Sequence, residues 1–159
     1  MISTLLALSL IGSVAAWPLG RLLGHRAGWV LALLPGSLFA AFLRFAPLIE
    51  AGHTITERWV WMPSLRVELA LRLDGFALLF TLLITGIGAL VVIYAGAYLS
   101  EKPAGVRARF FVLILLFMTA MLGAVLADDL IVLFLFWEAT SVLSFLLMGF
   151  DADSASARR

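Results

Sequence analysis

Glu138 is the residue whose chemistry is hardest to ignore. It stands in Phe136-Trp137-Glu138-Ala139-Thr140-Ser141, inside an otherwise apolar run from Leu130 to Phe150. Counted from Leu130 at about 1.5 Å per residue, it lies about 12 Å into a bilayer core of about 30 Å. Its stem is too short to return the carboxylate to water from that depth. A bare ionised carboxylate there is costly, so the group must be neutral, be paired with a cation, or face water. A carboxyl whose protonation depends on whether a cation is close is what a proton relay requires. On a helical wheel Glu138 shares a face with Phe134, Leu135, Ser141, Val142 and Phe145. Ser141 is one turn away and can donate a hydrogen bond, and Thr140 and Ser144 widen the polar strip. The preceding apolar run offers small residues at Thr119, Gly123 and Ala127, which let helices approach closely. The expected arrangement therefore turns Glu138 toward protein, with the preceding helix packed tightly nearby. The bland alternative is a structural hydrogen-bonding group that glues helices.

Other chemistries find little support. The sequence has no Cys, which excludes disulfides, thiolate metal sites and Fe–S clusters. His25 and His53 fall in loops without metal-ligand spacing. Gly86 and Gly88 lie inside an apolar run, where they serve packing. No Ser–His–Asp arrangement is present, and a net charge of +1 implies no nucleic-acid partner. No cofactor, no metal and no enzymatic site are expected. No Lys, Arg or His is embedded near Glu138, since Arg44 sits toward the end of its own run. Asp128-Asp129 reads best as a polar turn with a helix N-cap.

The elements that position Glu138 follow from composition. Of 159 residues, 64% are hydrophobic and 13% charged. An ordinary soluble domain carries about 25% charge, so this is an integral membrane chain. The sequence predicts an all-α membrane protein of about five spans: Ile2 to Leu19, Ala27 to Leu48, Phe76 to Leu99, Phe110 to Ala127 and Leu130 to Phe150. No Lys or Arg precedes Arg21, so the first run is read as a retained helix rather than a signal peptide. Pro35-Gly36 should kink the second span. Four segments result: two helices over 1–48, a polar loop over 49–75, three helices over 76–150, and a tail over 151–159. Within the loop, Thr54 to Trp61 and Arg66 to Leu73 alternate polar and apolar residues around Pro63-Ser64. This predicts a short β-hairpin on the outer membrane face, with Trp59 and Trp61 at headgroup level. Tyr94 and Tyr98 suit the aromatic belt at the opposite interface.

Charge placement predicts orientation. Arg21, Arg26, Lys102, Arg107, Arg109, Arg158 and Arg159 fall in connections on one side. The arginines of the other side are interleaved with carboxylates. By the positive-inside rule the N-terminus and hairpin face outward and the C-terminus faces the cytoplasm of a plasma membrane.

With these residues in place, the sequence resembles the N-terminal part of the A-subunits of Mrp-type multisubunit Na+/H+ antiporters. More broadly it is similar to the chain-5 antiporter-like subunits of NADH:quinone oxidoreductase. The resemblance rests on Arg72-Leu73-Asp74-Gly75-Phe76, Leu83-Ile84-Thr85-Gly86-Ile87-Gly88, Phe117-Met118, Met121-Leu122-Gly123, Phe136-Trp137-Glu138-Ala139-Thr140-Ser141 and Ser144-Phe145-Leu146-Leu147-Met148-Gly149-Phe150. It implies that Glu138 is the carboxylate of a proton-transfer pair whose lysine partner lies on a later helix. It also implies other membrane subunits as partners, Na+ and H+ as transported ions, and the lipid bilayer as surroundings. Ala139 stands where the family usually has Leu. The partner lysine and second helical repeat are not in this sequence, so the chain is expected to be the front part of a longer, truncated or split subunit. Two other readings stand beside this one: a component of a redox-driven respiratory proton pump, and a structural membrane module that only packs against partners.

Overall fold

The computed structural model describes residues 1–62 and 67–150. The Pro63-Ser64 turn, Arg66 and the 151–159 tail lie outside the described residues. Helix α1 runs Ile2–Leu22 and ends in a 3-10 turn at Gly24–Arg26. The second span is built of α2 (Ala27–Leu31), α3 (Leu33–Leu43) and α4 (Ala46–Glu50). Strands β1 (Ile55–Met62) and β2 (Val67–Leu73) follow, then α5 (Gly75–Tyr98), α6 (Ala104–Leu126) and α7 (Leu130–Met148). Among the described residues, five helical stretches are long and apolar enough to cross a bilayer.

Helix α6 is the centre of the packing, and its most extensive contact is with α1. Helix α1 turns Ile2, Leu6, Ser9, Ser13, Ala16 and Gly20 inward. The alternating steps of four and three keep one stripe of mostly small residues on one face. A Cβ on Gly20 would come within 2.9 Å of the Ala108 Cα, so the backbones meet with little between them. Midway along, Ser9 Oγ and Thr119 Oγ1 lie 2.6 Å apart. Ser13 donates to the Ser9 carbonyl at 2.7 Å and Thr119 to the Leu115 carbonyl at 2.9 Å. Every hydroxyl hydrogen in this buried trio can thus be placed without leaving an orphan. A second close approach joins α2 to α5, where a Cβ on Gly28 would lie 2.6 Å from the Gly96 Cα.

The second span departs from the expected kink at Pro35-Gly36. It breaks at Ala32 and again at Arg44–Phe45. Pro35 is the third residue of α3, where its missing N–H costs no helical bond, and the disturbance moves one turn upstream. The fourth span also begins earlier than expected. Helix α6 starts at Ala104, so Arg107 and Arg109 are helical and not loop residues, and Arg107 is only 6% exposed.

The strands pair antiparallel, from Ile55 opposite Leu73 to Val60 opposite Glu68. Leu71 and Leu73, on the apolar parity of β2, are fully buried against the bundle. The sheet lies at the end where α1 begins and α6 ends. There Leu71 bridges Ala127, and the Asp128 N–H donates to the Ala70 carbonyl at 2.9 Å.

Candidate functional site: the carboxylate face of α7

Helix α7 starts at a cap that the sequence foreshadows. Asp129 accepts hydrogen bonds from the Ile131 and Val132 amides at 2.8 and 3.4 Å. These satisfy two of the free N–H groups of the first turn. Its neighbour Asp128 has another task. It pairs with Arg58 of β1 at 3.3 Å and with Arg72 of β2 at 3.9 Å. Arg72 also reaches Asp74, which caps α5 by accepting from Ala77 N at 2.9 Å. One carboxylate thus ties both strands to the α6–α7 turn.

Along α7, Val132 is fully buried and Phe136 lies over Gly123 of α6. A Cβ at Gly123 would sit 2.3 Å from the Phe136 ring. Gly123 faces α7 at this contact, whereas Thr119 turns to α1. Ala127 ends α6 and bridges Leu71. The three residues are not one stripe, because the helix carries them around by about 40° for each step of four.

Glu138 occupies the opposite side of α7 from Phe136 and Val132 and is exposed. The face it shares is therefore not the one that packs on α6. Its exposed neighbours are Phe134, Leu135, Trp137, Ser141, Val142 and Phe145. Among the described residues, no hydrogen bond or ion pair engages the Glu138 carboxylate. The hydroxyls expected to support it are used locally: Thr140 and Ser141 donate to the Trp137 carbonyl at 2.6 and 3.3 Å. With Ser144 they line a cleft of about 430 Å³ against Phe117, Met121 and Ala124 of α6. Arg44 is exposed at the end of α3, well apart from this face.

A family model described as NADH-ubiquinone oxidoreductase (complex I), chain 5 N-terminus, matches residues 59–111. Among curated proteins, the A1-subunit of a Na+/H+ antiporter from Staphylococcus haemolyticus is 47% identical over 123 residues, covering 77% of this chain and 15% of its own length. The A-subunit of the Na+/H+ antiporter from Alkalihalophilus pseudofirmus is 45% identical over the same length. Among solved structures, the Mrp complex of a Dietzia species superposes with TM-score 0.83 at 38% identity, over 92% of this chain and 16% of that one. The chain matches the N-terminal part of the Mrp-type antiporter A-subunits. An archaeal membrane-bound sulfane sulfur reductase shares the fold, with TM-score 0.73 at 22% identity. The chain thus spans about 15% of the length of the curated relatives it matches.

Sequence reasoning missed Ser9 and Ser13, the hydroxyls that join α1 to α6. Their signal was present: two serines one turn apart in an apolar run, on the face that also carries Ala16 and Gly20. It also missed Arg58 and Arg72 as partners of Asp128.

Proposed function

We propose that this chain is the front part of a monovalent cation/proton antiporter subunit, with Na+ as the cation, and that Glu138 is its proton-transfer carboxylate. The observation that carries the reading is the position of Glu138. It sits near the middle of the 19-residue α7, on the face the other described residues leave open. A carboxylate is not stable against lipid at that depth, so this face needs protein, a cation or water beside it. The relatives, about five times as long, have ample chain to supply that cover. A buried carboxyl that gains and loses a cationic neighbour takes up and releases a proton. Thr140, Ser141 and Ser144 add polarity to the same helix, and Na+, H+ and further membrane subunits are the partners. The likeness to complex I chain 5 over residues 59–111 favours a second reading, a redox-driven proton pump component using the same carboxylate.

The orientation belongs to this proposal: N-terminus and strands outside, C-terminus in the cytoplasm. It is supported by Arg21, Arg26, Lys102, Arg107 and Arg109 gathering at one end and Asp74, Asp128 and Asp129 at the other. Single cysteines introduced into this Cys-free sequence at Gly52 and Ser100 would label from opposite sides of intact cells.

The decisive experiment places Glu138→Gln in the full-length subunit, expressed with its complex in an antiporter-deficient host. Cation/proton exchange is expected to be lost with assembly intact. Unchanged exchange would sink the proton-transfer role, and lost assembly would favour a purely structural one.

A further inference from the structure

The two ends of the bundle treat their arginines differently. At the strand end, Arg58 pairs with Glu68 and Asp128, and Arg72 with Asp74 and Asp128. At the opposite end, among the described residues, no carboxylate lies within ion-pair distance of Arg21 or Arg107. Arg21 closes the last turn of α1 and lies over the Trp17 ring, 4.6 Å from its centroid. Its guanidinium also comes within 3.8 Å of where a Cβ on Gly105 would stand, so it reaches across to the first turn of α6. Arg107, buried just behind, donates to carbonyls among the described residues: Gly20 O at 3.3 Å and Lys102 O at 3.5 Å. Lys102 and the exposed Glu101 belong to the turn that leads into α6. An arginine stays charged even when buried, and carbonyls lower the cost of its charge without neutralising it.

We propose that the end of α1 and the start of α6 form a binding site for the phosphate headgroup of an anionic phospholipid. Arg21 makes the principal contact, and the buried Arg107 supplies field from behind. The depth is right. Helix α1 has 21 residues, about the length of one bilayer crossing, so its last turn lies at the headgroup level. The Trp17 indole, partly exposed there, suits the interface. A guanidinium presents a planar fork that matches a phosphate. A zwitterionic headgroup brings its own cation into the same space and gains less. The site is remote from Glu138 and independent of the transport reading.

The test reconstitutes the whole chain in vesicles of phosphatidylcholine and phosphatidylglycerol in equal amounts. Native mass spectrometry then measures the lipid retained after gentle extraction. Phosphatidylglycerol is expected to be retained in preference. Arg21→Gln should reduce that preference about fivefold, the effect of one basic residue at a membrane surface, and Arg21→Lys should keep most of it. Arg109→Gln, at an exposed cation two residues past the buried Arg107, should leave it unchanged. Equal retention of the two lipids by the unmodified chain would overturn the site. So would an equal loss with Arg109→Gln, which would mean diffuse surface charge. Equal losses in the Gln and Lys variants would mean packing on Trp17 rather than charge. Displacement of the lipid by inorganic phosphate would show a free-anion site instead.

Discussion

Helices α6 and α7 are neighbours in sequence, both strongly apolar and joined by a short turn at Ala127-Asp128-Asp129, yet they are used in opposite ways. Half of the apolar core of α6 is buried inside this chain, against 6% for α7. Helix α6 is held on one side by α1 and on the other by α7, and its polar residue Thr119 is satisfied by Ser9 across the interface. Helix α7 lies at the edge with a single wholly buried side chain, and its polar residue Glu138 points outward. Apolarity alone therefore says that a helix can sit in a membrane, not what it will touch. The discriminating feature is where the polar groups find partners. Thr119 of α6 finds its partner within the chain, whereas the Glu138 carboxylate of α7 has none among the described residues.

That contrast can be broken most sharply at Gly123, the point where the two helices meet. Gly123→Leu would drive a side chain into the Phe136 ring, which a Cβ would already approach to 2.3 Å. It should destabilise the α6–α7 contact by about 1–3 kcal/mol, measured by denaturant titration in mixed micelles. The same substitution at Gly36, where a Cβ meets nothing within 4 Å, should cost much less. Thr119→Val keeps the shape of α6 but removes the hydroxyl shared with Ser9. A loss of about 0.6–1.7 kcal/mol is expected, and the double substitution with Ser9→Ala should cost less than the sum of the singles. On α7, by contrast, Glu138→Gln and Val142→Ala should leave the stability of this chain within about 0.5 kcal/mol of its original value. A large change in either would mean that the outward face is held from within after all.

The strand end offers a pH test of the same principle, that polar groups go where partners are. Glu57 accepts from the Met1 ammonium and from the Ile2 and Ser3 amides, at 2.7 and 2.9 Å for the two amides. Burial raises its pKa, but these hydrogen bonds outweigh burial and hold it at about 2, below its ordinary 4.5. The folded-state value is depressed, so the contribution to stability is complete above about 4.5 and is lost as pH falls toward 2. Thermal unfolding of the chain should weaken through that window, and Glu57→Gln should flatten the dependence. An unchanged slope in the variant would remove Glu57 from the account.

How much of this was legible in the sequence depended on the kind of signal. The five spans, the alternating strands and the Asp129 cap could be read directly, because each has a local cause: an apolar run, a period of two, or a short acceptor before a helix. The buried face of α7 could not. Its residues are apolar nearly all the way round, so the wheel places Glu138 beside its neighbours without saying which side meets α6. Nor could the break at Ala32, since proline disturbs the turn before it rather than its own position. Arg107 read as a loop cation because a charged residue near a span's edge carries no mark of burial. The type and depth of Glu138 were legible in the sequence, but the exposed face it occupies was not.

The hydroxyl contact between α1 and α6 has a consequence for how the protein is made. Ser9 and Thr119 are separated by 110 residues. The first helix therefore enters the bilayer 110 residues ahead of its partner. Ser13 can wait cheaply, because it bonds the Ser9 carbonyl within its own helix. Ser9 gains its interhelical acceptor only when α6 is inserted. Closure of the α1–α6 contact thus requires α6 and cannot be completed by the earlier helices alone.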